Sequence, residues 1–580
     1  MQKRGLILVI GLLLIIGTFL IYYYTKQNAK LEESYNSKGW KLYKQGKYDE
    51  AIAEFRKQID KNNNNFYAYS GLAWSLYRKE IYDEAVDFFK IAINLNPSNY
   101  DVYNGLGWSQ FHLTQYQDAI NSFEKSIQLN PNYYDPYNGI GWTYYSLNYT
   151  EEHWKEGYRA WLKNFNNSKN AFEHSIYLNP KNPSSYIGIG YLYQMKSRSS
   201  NSLADYEISK KAFEKALELD NTNANTYKGL GWTLFWMSKQ KPLTTWNFPQ
   251  LKSLFEKSID IKPDHFNYEG LGITYFYEGN YNKSIENFEK ALQYIDPEHH
   301  PHTYSLLGFA YYRQKTDYNY GTYDKAIEMF DISLQHDPSD LYALNGLAWT
   351  YNRQDKYKEA IEIFDKTLKL DPNYAESYSG LGFANLNLGN FNLALQQFQK
   401  AIALNPYDST YHEHLGFVYL YLRDLESAEK EFNTSIALGD ADFHIYQGLG
   451  YLNFLRGKYD DAINNYQQSL IKNPRNIDAY FVLGRVYLHK EDYEKAKEAY
   501  EKALQIDDRL PKGLILISFI YYKLNDTKTS ELMINKALSI TKDAGSSISS
   551  FSDCMRNYQF IYIPQNVANC VEAAISQNKY

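Results

Sequence analysis

One block of 34 residues recurs along the chain and constrains its fold more than any other feature. The segment GLAWSLYRKEIYDEAVDFFKIAINLNP begins at Gly71, and the related segment GLGWSQFHLTQYQDAINSFEKSIQLNP begins 34 residues later, at Gly105. A chain of 580 residues is too long for one hydrophobic core, and repetition at this period predicts a solenoid in which each unit packs on its neighbours. A small residue before a recurrent aromatic marks fourteen units: Gly39, Ala73, Gly107, Gly141, Gly190, Gly231, Gly272, Gly308, Ala348, Gly382, Gly416, Gly450, Gly484 and Ser518.

Each unit divides into two amphipathic helical patterns, which we call the first and the second helix. In the second unit, Ala85, Phe89 and Ala92 lie at i, i+4 and i+7 of the second helix and therefore on one stripe. We predict that the small residues let the first helix approach while the ring fills the gap between hairpins. Proline then ends the second helix, at Pro97, Pro131, Pro180, Pro263, Pro338, Pro372, Pro406 and Pro474.

This order of small residue, aromatic residue, small residue and proline resembles the tetratricopeptide repeat family across residues 32–540. The resemblance implies an all-α fold, a right-handed superhelical solenoid of about fourteen helix hairpins whose concave groove binds peptides or proteins. Extra residues interrupt four units within residues 134–340, after Leu147, Gln194, Met237 and Gln314. Their clustering indicates either a local elaboration for binding or drift in tolerant loops.

Nine first helices carry an additional glycine two residues before the usual small residue. A glycine inside a helix costs about 1 kcal/mol relative to alanine, so packing or binding must require the bare backbone. Because helical side chains lean back over the preceding turn, we predict that the aromatic residue three positions later lies over the missing side chain. The nine are Gly71, Gly105, Gly139, Gly188, Gly229, Gly270, Gly346, Gly380 and Gly448.

The aromatic residues that follow the small residue form a series that we call the aromatic column. By resemblance the column falls on the groove side of the first helix, where the family usually has polar residues, which argues against a carboxylate-clamp site. The rings either pack between successive first helices or form a platform for prolines, amphipathic helices or sugar rings. The predicted partner-binding residues are Trp40, Trp74, Trp108, Trp142, Tyr191, Trp232, Trp349, Phe383, Phe417 and Tyr451; Phe309 and Phe519 complete the column, and Ile273 and Arg485 interrupt it.

The N-terminal segment is an apolar run without charge at residues 5–24. At about 1.5 Å per residue, a helix of this length crosses a bilayer core of roughly 30 Å. A cleaved signal peptide is the alternative. Lys3 and Arg4 before the run, against Lys26 and Lys30 after it, predict a single-pass membrane protein with extracytoplasmic repeats. The predicted organisation is a tail at 1–4, a transmembrane helix at 5–24, a linker at 25–31, the repeat array at 32–540 and a C-terminal tail or cap at 541–580.

No motif for catalysis or cofactor binding emerges from the sequence. The Gly-x-Gly pairs lie inside helices and lack the strand that a dinucleotide motif needs, and no nucleophile elbow or zinc-binding histidine pair is present. About 40 residues follow the last hairpin, too few for a catalytic domain. We therefore predict no enzyme activity and no catalytic, cofactor-binding or metal-binding residues.

The histidines and cysteines are the residue types that could supply metal ligands or a disulfide. His299, His300 and His302 lie beside turn prolines and are interpreted as solvated turn residues rather than metal ligands. His412 and His414 are two apart in a first helix and so face different directions. The only cysteines, Cys554 and Cys570, leave the repeats without disulfides or thiolate sites, and whether the two pair remains open.

Charge and architecture together define the predicted function. With 61 basic and 67 acidic residues and a net charge of -6, the chain is unsuited to neutralising a phosphate backbone, which excludes nucleic acid as a partner. The leading hypothesis is a membrane-anchored protein–protein interaction scaffold that binds a protein or peptide in its groove. The alternative is a carbohydrate-binding or polysaccharide assembly and export accessory protein that uses the aromatic stripe. Neither hypothesis requires a cofactor.

Overall fold

A computed structural model describes residues 37–148, 158–295, 301–314, 321–439 and 442–543. Regular structure in these ranges comprises 28 α-helices and one short 3-10 helix, Leu243–Thr245, with no strand. Consecutive α-helices pair into fourteen hairpins, so the predicted all-α solenoid of helix hairpins is confirmed. The chain divides into two compact units, Met1–Asp296 and Pro297–Tyr580, each with seven of these hairpins.

The first unit holds helices α1 to α14, in which odd numbers are first helices and even numbers second helices. Their bounds are α1 Lys38–Lys44, α2 Tyr48–Lys61, α3 Phe66–Arg78, α4 Tyr82–Leu95, α5 Tyr100–His112, α6 Tyr116–Leu129, α7 Asp135–Leu147, α8 Tyr158–Leu178, α9 Pro183–Ser200, α10 Leu203–Leu219, α11 Ala224–Ser238, α12 Phe248–Ile261, α13 His265–Glu278 and α14 Tyr281–Leu292. The lengthened α8, α9 and α10 belong to the two hairpins that carry the first two insertions.

The second unit continues the same alternation in helices α15 to α28. Their bounds are α15 Pro301–Arg313, α16 Gly321–His336, α17 Leu341–Arg353, α18 Tyr357–Leu370, α19 Ala375–Asn387, α20 Phe391–Leu404, α21 Ser409–Tyr421, α22 Leu425–Ala437, α23 Phe443–Leu455, α24 Tyr459–Lys472, α25 Ile477–His489, α26 Tyr493–Ile506, α27 Pro511–Lys523 and α28 Thr527–Asp543. Within each unit, every hairpin therefore consists of a first helix followed by a second helix.

The apolar stripe of the second helix is the core of each hairpin. Ala85, Phe89 and Ala92 are fully buried, as their spacing predicts. In several hairpins where serine replaces the second alanine, its hydroxyl donates to a backbone carbonyl at the start of the first helix, as Ser126 Oγ does to the oxygen of Tyr100 at 2.8 Å. The small residue therefore allows close approach and, as serine, also satisfies a backbone acceptor.

Helix ends follow the local signals in the sequence. Helix α4 ends at Leu95, two residues before Pro97, and the other predicted proline stops act in the same way, so they are confirmed. Inside the hairpin, the turn uses a residue in the left-handed region, which is Gly46 in the first hairpin and Thr114 (φ 58°) in the third. In the hairpins without insertions, the turn residue and the proline together fix the lengths of the two helices.

The prediction of a single-pass membrane protein with extracytoplasmic repeats requires correction. Among the helices that the structure describes, none is both long and apolar enough to span a bilayer. The longest, α8, has 21 residues but carries charged side chains, including Arg159, Lys163, Lys169 and Glu173, along its length. The single-pass prediction is therefore not supported. The segments at 1–4, 5–24 and 25–31, and the tail with Cys554 and Cys570, lie outside the described residues.

Candidate functional site

The additional glycines of the first helices make room for a phenylalanine. A Cβ atom at Gly105 would lie 2.3 Å from Cζ of Phe89, which belongs to the second helix of the preceding hairpin. For all nine glycines the nearest such atom is 2.0 to 2.4 Å away and belongs to the corresponding phenylalanine. The prediction that the column ring covers this glycine is therefore wrong. The reason is that the phenylalanine wedges between two successive first helices, and only a bare backbone leaves space for it.

The same phenylalanine also meets the usual small residue of its own hairpin. Phe123 would clash with a Cβ at Gly107, in its own first helix, and with one at Gly139, in the next. The helix around the additional glycine is supported from within, because Ser109 Oγ donates to the carbonyl oxygen of Gly105 at 2.9 Å. The prediction that the second-helix ring fills the gap between hairpins is thus confirmed.

A Gly105→Ala substitution tests the wedge directly. Alanine should favour the helix by about 1 kcal/mol, but its Cβ would overlap Phe89 and approach Trp74 Cζ2 to 2.9 Å. Overpacking of this kind costs roughly 1 to 3 kcal/mol, so we expect net destabilisation of about 1 kcal/mol in urea unfolding. Adding Phe89→Leu should recover part of the loss. A variant more stable than the parent would contradict the wedge.

The aromatic column lies half-buried along the first helices. Of the ten predicted partner-binding residues, Trp40 is buried and the others are intermediate in exposure. The ring of Trp74 stands edge-on to that of Phe89, with centroids 5.3 Å apart and planes at 84°. Centroid distances of 5.1 to 5.9 Å recur in the pairs Trp40–Phe55, Trp108–Phe123, Trp142–Phe172, Tyr191–Phe213, Trp232–Phe255, Phe309–Phe330, Trp349–Phe364 and Phe417–Phe432. One side of the column is therefore part of the core.

The indole N–H groups of three column tryptophans donate hydrogen bonds to the next first helix. Trp74 Nε1 donates to Asp101 Oδ2 at 2.9 Å, and Trp108 Nε1 donates to Asp135 Oδ2 at 3.0 Å. Trp142 Nε1 donates to Ser184 Oγ at 3.2 Å in the same way. Each acceptor lies in the first turn of the following first helix. These hydrogen bonds, which the sequence did not predict, link consecutive hairpins.

Asp101 and Asp135 are the site residues that sequence reasoning missed. Their signal was present, because both lie six residues before the small residue of their units, at the same place in consecutive repeats. Burial raises the pKa of both carboxyl groups, and hydrogen bonds from their donors partly oppose the rise. Both carboxyl groups are therefore partly buried and only partly hydrated.

A second ring one turn along the first helix widens the stripe. Tyr77 stands edge-on to Trp74, with centroids 5.5 Å apart. At the corresponding position of a later hairpin, Phe235 is covered by Trp246, whose ring is 5.7 Å away at 90° and which also lies 5.0 Å from Tyr277. Trp246, which belongs to the insertion after Met237, therefore covers the second ring of this hairpin.

In the second unit the column is less regular. Trp349 and Phe383 approach each other at 5.7 Å with tilted planes. Arg485 replaces a ring, and its guanidinium lies 5.4 Å from the centre of the Phe454 ring. Partner binding by the column stays a prediction in both units.

The histidines are separated as their spacing predicts. His412 Nδ1 lies 2.6 Å from Glu431 Oε2, whereas the ring of His414 lies among Phe383 and Phe398. His302 is exposed beside Tyr342, and His299 and His300 lie outside the described residues. Within the described ranges, no three His, Cys, Asp or Glu side chains are grouped so as to hold a metal ion.

Comparison with known protein families places repeats along both units. Models described as "Tetratricopeptide repeat" match residues 37–99 and 448–511, residues 100–133 and 375–408, and residues 190–223 and 267–297. A model described as "TPR repeat" matches residues 350–389. Among curated proteins, the search finds no match to this chain.

Several solved structures match the chain at low identity. The crystal structure of the APC/C hetero-tetramer Cut9-Hcn1 matches with 18% identity and a TM-score of 0.44, covering 83% of this chain and 95% of that one. TTC0263, a thermophilic TPR protein of Thermus thermophilus, matches with 26% identity and a TM-score of 0.29, covering 33% and 99%. MamA matches with 24% identity and a TM-score of 0.27, covering 28% and 96%.

Proposed function

Since this chain belongs to the tetratricopeptide repeat family, we propose that it is a non-enzymatic scaffold that binds a protein segment along its first-helix face. This face comprises the column rings, the second rings such as Tyr77, and the carboxylates Asp101 and Asp135. Repeat arrays of this kind present extended surfaces for partner proteins. The proposal concerns where on the array the partner binds.

One observation carries the proposal: ring pairs and acceptors recur together at the same edge of consecutive hairpins. Trp74 and Tyr77 on α3 are followed by Trp108 and Phe111 on α5, and all four rings are half-buried rather than enclosed. Large aromatic surface beside polar acceptors is typical of the buried centre of protein interfaces. The second helices instead turn charged residues outward, as Glu84 and Asp87 do on α4.

We do not extend the proposal to glycans. Three indole N–H groups of the column already donate to acceptors within the chain, which removes donors that sugar hydroxyls would otherwise use. A protein segment therefore fits the face better.

Site-specific photocrosslinking in the native cells tests the proposal. A benzophenone amino acid is placed at Tyr77 or at the exposed His112 beside it, and as a control at Tyr177, which is 79% exposed on a second helix. We expect adducts from the first two positions to map to one segment of one protein, and none from Tyr177. Alanine variants of the column tryptophans are less suitable, because they would also lose ring packing.

Two outcomes would contradict the proposal. One is equal capture from Tyr177 and from the first-helix positions, which would indicate non-selective contact. The other is no adduct from Tyr77 or His112 while the variants retain the parent helicity and melting temperature.

A further inference from the structure

Asp101 and Asp135 occupy equivalent places on α5 and α7 and accept hydrogen bonds from uncharged donors. Asp101 accepts from Trp74 Nε1 and from the Tyr133 hydroxyl, the latter at 3.3 Å. Asp135 Oδ2 accepts from Trp108 Nε1 at 3.0 Å and from Asn104 Nδ2 at 2.7 Å. Two carboxylates on adjacent helices are thus held in place by indole, phenol and amide groups.

Within the described ranges, no lysine, arginine or histidine forms an ion pair with either carboxylate. Burial is the main cause that raises the pKa of both groups, and the charge of Asp135 raises the pKa of Asp101 further. A partly dry carboxylate without a cation costs free energy that a salt bridge would normally offset. Because Asp101 and Asp135 are still partly exposed and have no cationic partner in the described part of the chain, they mark a candidate binding site.

The side chain of Asn104, which donates to Asp135, has an oxygen without a hydrogen-bond donor in the part of the chain that the structure describes. Asn104 is fully buried, and its Nδ2 contacts Asp135 and the Tyr133 hydroxyl, so its carboxamide lies within the cluster. Its Oδ1 has no hydrogen-bond partner among the described residues. Buried amide oxygens are nearly always satisfied. The cluster therefore contains a buried acceptor that no donor among the described residues satisfies, while the amide and phenol donors of the cluster are already engaged.

We infer that the cluster of Asp101, Asn104 and Asp135 binds a cationic side chain of the partner segment, an arginine in preference to a lysine. This inference rests on the proposed function and adds the chemistry of the partner. A guanidinium group supplies several donors in one plane and can satisfy two carboxylates, whereas an ammonium group is a compact point charge. The rings of Tyr133 and Tyr100, 5.0 Å apart, provide aromatic surface on which a guanidinium can lie.

A purely structural role explains only part of this arrangement. An aspartate in the first turn of a helix is stabilised by the helix dipole, and each carboxylate also fixes an indole of the preceding hairpin. Fixing the indole does not require a negative charge, because an asparagine oxygen would accept the same N–H bond, whereas the helix dipole does favour a charge at this position. Neither effect accounts for the unsatisfied oxygen of Asn104. Neutral, isosteric variants therefore separate the two roles.

The probe is a fluorescein-labelled peptide, Gly-Ala-Arg-Ala-Arg-Ala-Gly, with its citrulline counterpart as the uncharged analogue. Packed helices lie about 8 to 10 Å apart, and alternate residues of an extended peptide are about 7 Å apart, so a peptide with arginine at alternate positions can place one guanidinium at the cluster in more than one register. Fluorescence anisotropy with the full chain measures Kd. The Asp101→Asn/Asp135→Asn double variant should bind about tenfold more weakly or worse.

The matched control is Asp83→Asn/Asp118→Asn, which removes the same net charge from exposed positions on the second helices α4 and α6. We expect its Kd to change by roughly twofold or less, since exposed charges contribute little to specific binding. The citrulline peptide should bind the parent chain as weakly as the arginine peptide binds the double variant. Equal weakening by the control variant, or equal binding of the citrulline peptide, would overturn the inference.

A measurement on the parent chain removes any dependence on variant folding. Carbodiimide coupling of glycinamide, mapped by mass spectrometry, should modify Asp101 and Asp135 less in the presence of the arginine peptide, while Asp118 is unaffected. Unchanged labelling of Asp101 and Asp135 under saturating peptide would also overturn the inference. Photocrosslinks from Tyr77 that persist in the Asp→Asn variant would then leave the scaffold proposal intact, so the two failures are distinguishable.

Discussion

Phe89→Ala is expected to lower the free energy of unfolding by about 4 kcal/mol, well within the range for truncating a buried phenylalanine. Phe89 is fully buried, and its ring fits against the bare backbone at Gly105 and edge-on to Trp74. Because the wall at Gly105 has no side chain that could move into the space, the cavity should collapse poorly. The loss should appear in urea unfolding and as faster amide hydrogen exchange in α4 and α5.

Its neighbour Phe88 provides the control. Phe88 lies on the same helix but is only partly buried, stacked on Tyr69 at 6.2 Å. Phe88→Ala should therefore cost about 1 to 2 kcal/mol, since less apolar area is returned to water. Similar losses from the two substitutions would show that the ring of Phe89 does not act as a wedge between hairpins.

Acidification is expected to destabilise the hairpin around His414 by about 2 kcal/mol between pH 7 and pH 5. Burial of the imidazole, with further contributions from Arg353 and His444, lowers the pKa of His414 from 6.5 to about 4. The unfolded chain then binds a proton below about pH 6.5 that the folded chain rejects. Stability is therefore full above pH 6.5 and falls as the pH is lowered towards 4.

The replacement His414→Leu should remove this part of the acid sensitivity. Leu306 and Leu516 occupy the same repeat position in other hairpins, so leucine is compatible with the local packing. Hydrogen exchange of α21 between pH 7 and pH 5, corrected for intrinsic rates, reports the difference. His174→Leu, at an exposed site on a second helix, should leave the acid response unchanged. An unaltered response in His414→Leu would contradict this account.

The fold was predictable because its signals are local and repeated. Each hairpin must bury the stripe that includes Ala85, Phe89 and Ala92, and Pro97 ends the helix two residues after Leu95 whatever lies beyond. The separation of His412 and His414 likewise followed from helical spacing alone. Fourteen copies of one pattern leave little freedom in the type and order of helices.

The candidate site was only partly predictable. The aromatic column was identified as a series, but its environment was not, because the pattern left core packing and a platform as alternatives. In the structure Trp74 stands edge-on to the buried ring of Phe89 and donates its indole N–H to Asp101 of the next hairpin, so part of the column belongs to the core, while its role as a platform stays a prediction. The single-pass membrane prediction, which rested on the apolar run at residues 5–24 and the charges beside it, gained no support from any described helix.

The sequence by itself determined the hairpin, its length, its buried stripe and its repetition, since these depend on residues within about 34 positions of one another in a fixed pattern. Tertiary structure decided which ring covers which glycine and which carboxylates come together. The contact of Phe89 with Gly105, and the cluster of Asp101 with Asp135, depend on the offset and rotation between neighbouring hairpins. Helical periodicity fixes the face on which a side chain lies, but the packing of one hairpin on the next selects its partner.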